Sequence, residues 1–140
     1  MFRSRLALLF ATCIASPLAA QGLSTAEAVR PILTMTAPNW IAVRDWDGHD
    51  LLYFTQLLPF RCGLAEIRYG LNGAEATERF NAEPCPPEED GQVFATIEAD
   101  EYLPYLTFDP GSIESVTVTI VYDDGLEETH SYDRAAVEIE

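Results

Sequence analysis

Three turn dipeptides constrain this chain more than anything else in it: Asp47-Gly48, Asn72-Gly73 and Asp124-Gly125. Each lies between runs of branched, aromatic or alternating apolar residues. Tight hairpin loops need left-handed backbone, which Asn, Asp and Gly adopt at little steric cost, so each dipeptide signals a β-hairpin. Before Asn72-Gly73 the set Ala65, Ile67, Tyr69 and Leu71 alternates and reads as one buried face. A two-residue loop there predicts Tyr69 opposite Ala76, Ala65 opposite Phe80 and Cys62 opposite Glu83. Trp40 to Trp46 and His49 to Leu58 form an earlier pair. A three-residue loop, Trp46-Asp47-Gly48, predicts Arg44 opposite Asp50, Ala42 opposite Leu52 and Trp40 opposite Phe54. In the last pair, Val116, Val118, Ile120 and Tyr122 alternate with Thr117, Thr119 and Val121. A type I turn closed by left-handed Gly125 sets Tyr122 against Leu126 and Val116 against Tyr132. One face is then apolar and the other polar, as a half-buried antiparallel sheet requires.

Other segments fill in the plan. Ser24-Thr25-Ala26-Glu27 is a capping-box signature for a short helix, which Pro31 limits or kinks and Ala37-Pro38-Asn39 ends. Glu83 to Gly91 reads as an acidic surface loop, Gln92 to Glu98 as a strand, Asp100 to Leu106 as an irregular crossover and Asp109 to Ser112 as a turn. About seven short strands with few helices predict a mainly β, antiparallel sandwich of immunoglobulin-like type, with a small barrel as the alternative. Residues 21–140 form a single domain of adequate size for a core.

Residues 1–20 carry the layout of a secretory signal peptide. Arg3 and Arg5 precede an apolar run from Leu6 to Ala15, and small residues end at Ala20 ahead of Gln21, the expected cleavage point. The run is too short to span a bilayer, so no membrane insertion is expected after cleavage. The expected location is periplasmic or secreted. Cleavage removes Cys13 and leaves Cys62 and Cys85, which in an oxidising compartment pair as a disulfide. In the predicted hairpin Cys85 sits on the diagonal just past the open end, and a bend at Pro84 brings it within reach.

Charge narrows the partners. The six arginines and 23 acids that remain after cleavage give −17, and no lysine occurs anywhere. From Asn81 to Glu140, sixteen acids face Arg134 alone. Such a surface repels nucleic acid and anionic lipid. It keeps an exported protein soluble and monomeric, or it meets a cation or a basic protein.

Chemistry-bearing constellations are sparse. Asp45 to Asp50 superficially resembles a calcium loop, but His49, Asp50 and Gln56 stand where that loop wants a ligand, Gly and Glu. A β-turn accounts for the same residues. Glu88-Glu89-Asp90 is a looser cation candidate. His49 and His130 lie beside hairpin turns, and neighbours on a strand face opposite ways, so His130 and Ser131 cannot act as a base–nucleophile pair. Trp40, Trp46, Tyr53 and Phe54 read as core aromatics rather than a ligand platform, with Trp46 left exposed at its turn. No catalytic residue, metal site or cofactor is expected.

The stretch N-W-I-A-V-R-D-W-D-G-H-D-L-L-Y-F-T-Q-L from Asn39, with R-C-G-L-A-E-I-R-Y-G-L-N-G and V-T-V-T-I-V-Y-D-D-G, resembles a family of small exported alphaproteobacterial proteins without assigned activity. The resemblance implies an exported domain and carries over no ligand or catalytic residue. The leading expectation is a non-catalytic interaction or structural domain. The alternatives are an acidic, inhibitor-like binder of a basic cell-wall hydrolase, a calcium-binding module and, last, a small hydrolase.

Overall fold

The computed structural model describes residues 22–87 and 100–140. The signal segment with its Ala20–Gln21 junction, the strand expected over Gln92–Glu98 and the carboxylates Glu88, Glu89 and Asp90 lie outside the described residues. Seven strands form two antiparallel sheets: β1 (Ala42–Trp46), β2 (His49–Tyr53) and β5 (Tyr105–Phe108) in one, and β4 (Glu78–Arg79), β3 (Leu64–Leu71), β6 (Ser115–Tyr122) and β7 (Glu127–Asp133) in the other. The orders 1-2-5 and 4-3-6-7 are those of an immunoglobulin-like sandwich whose fourth strand pairs beside the third. Helix α1 (Ala26–Met35) precedes them, and a single turn of helix, α2 (Arg134–Val137), follows.

The inner faces meet in one core. Val43 and Leu52 come from the first sheet and Ile67, Val116, Val118, Ile120 and Tyr122 from the second. Phe54 stacks on Phe80 at 4.2 Å and tilts against Tyr69 at 5.9 Å. α1 closes the sandwich with a buried stripe of Ala26, Val29 and Leu33, spaced to share one helical face. Its N-cap is Thr25, whose side chain accepts from the Ala28 N–H, and the helix runs on through Pro31. Trp40 is wholly buried and donates its indole N–H to the Leu33 carbonyl, 2.9 Å away.

Two of the three hairpins differ from their sequence-based register. The last is as expected: Val116 faces Tyr132, and Gly125 has φ +85°. The first is slipped by one residue. Asp47 (φ +52°) and Gly48 (φ +74°) form a two-residue loop, so Trp46 faces His49, Arg44 faces Leu51 and Ala42 faces Tyr53. That slip exchanges the faces of one strand relative to the other. It places Val43 opposite Leu52, both with no exposed surface.

In the middle hairpin Asn72-Gly73 does form a two-residue turn, closed by Ala74 N–H to Leu71 O, yet the strands pair two residues further on. Tyr69 faces Glu78, not Ala76, because Glu75 to Thr77 folds back on itself through Thr77 N–H to Glu75 O. The observed ladder ends at Phe80, and Cys62 lies before β3 in a helical turn, Leu58–Gly63. The two cysteines are at disulfide distance, with Cα atoms 5.0 Å apart and sulfurs 2.04 Å apart. A further correction concerns Asp100 to Leu106: Tyr105 and Leu106 already belong to β5, with Tyr105 opposite Tyr53 and Leu106 opposite Leu52. Pro104 immediately precedes the strand, and a proline at a strand's entry forfeits no ladder bond.

Candidate functional site

The chemistry that the fold assembles lies at three places: an enclosed ion pair, a carboxylate under α1, and the outer edge of β7.

The slipped register of the first hairpin points Asp50 inward, where it has no exposed surface. Arg134, at the start of α2, meets it with both terminal nitrogens, Nη1 at 2.6 Å from Oδ2 and Nη2 at 3.1 Å from Oδ1. The Ile113 N–H donates to the same carboxylate at 3.0 Å, and Arg134 Nη1 also donates to the Ile113 carbonyl. Arg134 Nε holds Glu138. The Arg134 guanidinium draws the Asp50 carboxyl down to about 2, against the opposing effect of burial, with help from the Ile113 and Gly111 N–H groups. Asp50 thereby joins β2 to the connection before β6 and to the end of β7. Both its oxygens are committed, so the fold uses it as a tie between sheets.

Glu128 on β7 points inward beneath α1. Its Oε2 accepts from Tyr122 OH at 2.7 Å and Thr34 Oγ1 at 2.9 Å, and its Oε1 lies 3.0 Å from His130 Nε2. Burial raises the Glu128 carboxyl, but hydrogen bonding by His130, Tyr122 and Thr34 outweighs it and holds the group below its ordinary value. Burial, then the bond to Glu128, pushes Tyr122 up to about 12. The His130 ring meets Trp40 edge-on at 4.8 Å. Ser131 faces the other way and bonds Thr117 at 3.0 Å. The two neighbours are kept apart as the strand geometry requires. His49 sits far along the chain at the first turn, its Nδ1 3.0 Å from the Asp47 carbonyl oxygen.

Other acids of the second half fasten α1. Asp123 accepts from the Ala26 N–H at the helix start, and Asp124 pairs with Arg30, whose guanidinium lies over the Tyr122 ring at 4.6 Å. Acid at a helix N-terminus is favoured by the helix dipole. Sequence reasoning missed these roles of Arg30 and Arg134. Arg134 left a signal, being the lone cation among sixteen acids.

The aromatics divide. Trp40 and Phe54 are core, Tyr53 packs on Tyr105 at 5.1 Å, and Trp46 is 55% exposed at the turn under the Arg44 guanidinium. A cleft of about 290 Å³ opens where the β3–β4 ladder stops after Phe80 N–H to Ile67 O, short of the disulfide. It is lined by Arg61, Glu66, Arg79 and Phe80 among others, and Arg79 is paired with Glu66 at 2.7 Å.

The outer edge of β7 remains. Tyr122 N–H bonds Leu126 O, and Arg134 N–H bonds Glu114 O, so the even-numbered residues of β7 turn their backbone toward β6. Glu127, Thr129, Ser131 and Asp133 therefore turn theirs outward, and all four are exposed. β7 stands last in its sheet. No protein family, curated protein or solved structure matches this chain.

Proposed function

We propose that the chain is an exported, non-catalytic domain of the periplasm or the extracellular medium that binds a basic partner protein. The observation that carries the reading is the division of labour among its charged side chains. Asp50, Asp123, Asp124 and Glu128 hold elements of the fold together. Beyond Phe80, among the described residues, Asp100, Glu101, Asp109, Glu114, Asp133 and Glu140 are exposed. His130 and Glu128, an adjacent base and carboxylate, are taken up in packing against Trp40 and in bonds from the hydroxyls of Tyr122 and Thr34. A paired Cys62–Cys85 suits an oxidising compartment.

Retention on an immobilised basic cell-wall hydrolase such as lysozyme tests the partner chemistry. Simple charge attraction is largely screened at 0.5 M salt, where the Debye length is about 4–5 Å. Retention that survives 0.5 M salt is expected; loss of all retention there, for every basic protein tried, overturns the reading. Mass spectrometry of protein from its native host tests export. A terminus at Gln21 is expected, and an intact Met1 with free thiols contradicts it.

A further inference from the structure

We propose that the open edge of β7 receives an extended, lysine- or arginine-bearing segment of a partner protein as an added antiparallel strand. The proposal rests on the interaction-domain reading above and names its surface and the chemistry of its partner. Four residues, Glu127, Thr129, Ser131 and Asp133, aim unpaired N–H and C=O groups away from β6, and none bonds other backbone among the described residues. An edge of this kind is a template for strand addition, in which main-chain bonds supply affinity and side chains supply selectivity.

Proteins usually blunt such an edge with proline, a bulge, lysine or a covering element. β7 contains no proline or lysine, its pairing with β6 runs without a register shift over seven residues, and α1 and the residues after it meet β7 through the even-numbered Glu128, His130 and Tyr132. What it does carry is acid. On the outer face Thr129 and Ser131 bond Thr119 and Thr117, Glu127 pairs across β6 with Arg68, and Asp133 is exposed; Glu128 lies on the inner face. A second copy is a poor occupant. Antiparallel pairing of two β7 strands about His130 sets Glu127 against Asp133, and pairing about Ser131 or Thr129 leaves that pair on the diagonal, between chains that each carry −15. A basic strand meets the opposite situation, with a cation facing exposed Asp133 and the net negative charge of the chain drawing it in.

The test uses the isotopically labelled full chain and three synthetic peptides. They are Lys-Val-Lys-Thr-Lys-Val-Lys with blocked ends, the same peptide N-methylated at alternate residues, and its Glu-for-Lys counterpart. The expected result is saturable binding of the first peptide, with exchange of the Glu127, Thr129, Ser131 and Asp133 amides slowed about tenfold or more. The N-methylated peptide keeps the charge and loses the ladder, so it should bind about tenfold more weakly or worse. The acidic peptide should not bind. Ser131→Pro removes one outward N–H without touching the β6 ladder and should abolish binding; the N-methylated peptide makes the same test on the unaltered protein. Equal binding of both basic peptides, or protection elsewhere, overturns edge pairing but leaves a basic partner standing. Protection of the same four amides by self-association in the absence of peptide assigns the edge to a second copy and also overturns the proposal. Failure of every basic peptide and every basic protein removes the interaction reading itself.

Discussion

Replacing Asp50 by Asn removes a charge that the fold has enclosed and leaves its outline almost unchanged. The carboxyl ionises near 3.8 in the unfolded chain and near 2 in the folded one. That depression contributes about 2.5 kcal/mol of stability at neutral pH. Because the folded value is the lower one, the contribution is complete above the unfolded value. It shrinks as pH falls through 3.8 and is gone below about 2. Asp50→Asn should therefore lose about 2.5 kcal/mol at pH 7 and almost nothing relative to the parent at pH 2. Arg134→Met is harsher, about 3–5 kcal/mol, since it strands a carboxylate that has no exposed surface. The double variant should recover part of that loss. Urea unfolding followed by the fluorescence of buried Trp40 measures all three from pH 7 to pH 2. A parent–Asn difference under 1 kcal/mol at pH 7, or one that stays level down to pH 2.5, refutes the argument.

Other perturbations test the supports of the fold. Cys62→Ser with Cys85→Ser reopens a loop spanning 23 positions and should cost ~3 kcal/mol by urea denaturation under oxidising conditions, with no difference from parent once the parent is reduced. Gly70→Ala drives a Cβ to within 2.3 Å of the Glu75 carbonyl oxygen, a backbone atom that cannot swing aside. A loss of at least about 2 kcal/mol is expected from thermal melts, and an unchanged melting temperature speaks against the observed fold-back of Glu75 to Thr77. Asn72→Ala deletes bonds to Ser112 O, Glu114 N and Ser115 N and strains a residue at φ +55°; chemical denaturation should show a loss of about 2 kcal/mol. Salt should raise the melting temperature of the parent, because screening relieves the net repulsion of −15 charges while the enclosed Asp50–Arg134 pair is little affected. A fall with salt contradicts that balance.

The hairpins show how far local chemistry carries a sequence reading. Gly125 and the Val116–Tyr122 alternation fixed their register because a left-handed Gly and a period-two apolar face agree on one answer. Asp47-Gly48 admits loops of two or three residues, and local sequence gives no reason to choose. The choice was made by a partner 84 residues away: only the two-residue loop sends Asp50 inward to Arg134. Asn72-Gly73 turned as its residue types demand, yet what followed depended on Gly70, where the absence of a Cβ lets Ala74 and Glu75 lie against β3. A glycine interrupting Ala65, Ile67, Tyr69 and Leu71 was the available sign of a close backbone approach. The resulting shift is by two residues, an even number, so Ile67, Tyr69 and Leu71 still turn to the core despite the wrong pairs, whereas an irregularity between Leu64 and Glu66 puts Leu64 against the core and leaves Ala65 exposed.

The site was less legible than the fold for the same reason. Turn dipeptides and apolar alternation act over a few residues, whereas the decisive charged contacts join Asp50 to Arg134, Arg30 to Asp124 and Thr34 to Glu128, all more than eighty positions apart. Net charge counts these acids together with the surface ones. Separating them changes what the acidity implies. Acids that cap α1 or bridge the sheets are part of the fold, and their neutralisation is a matter of stability. Asp133 borders an edge whose outward backbone groups bond no other backbone among the described residues, where charge decides which strand can approach. A uniform acidic coat would attract any basic protein in proportion to its charge and release it equally readily in salt. An acid-bordered edge selects instead for an extended basic strand, because its main-chain bonds persist where the long-range field is screened.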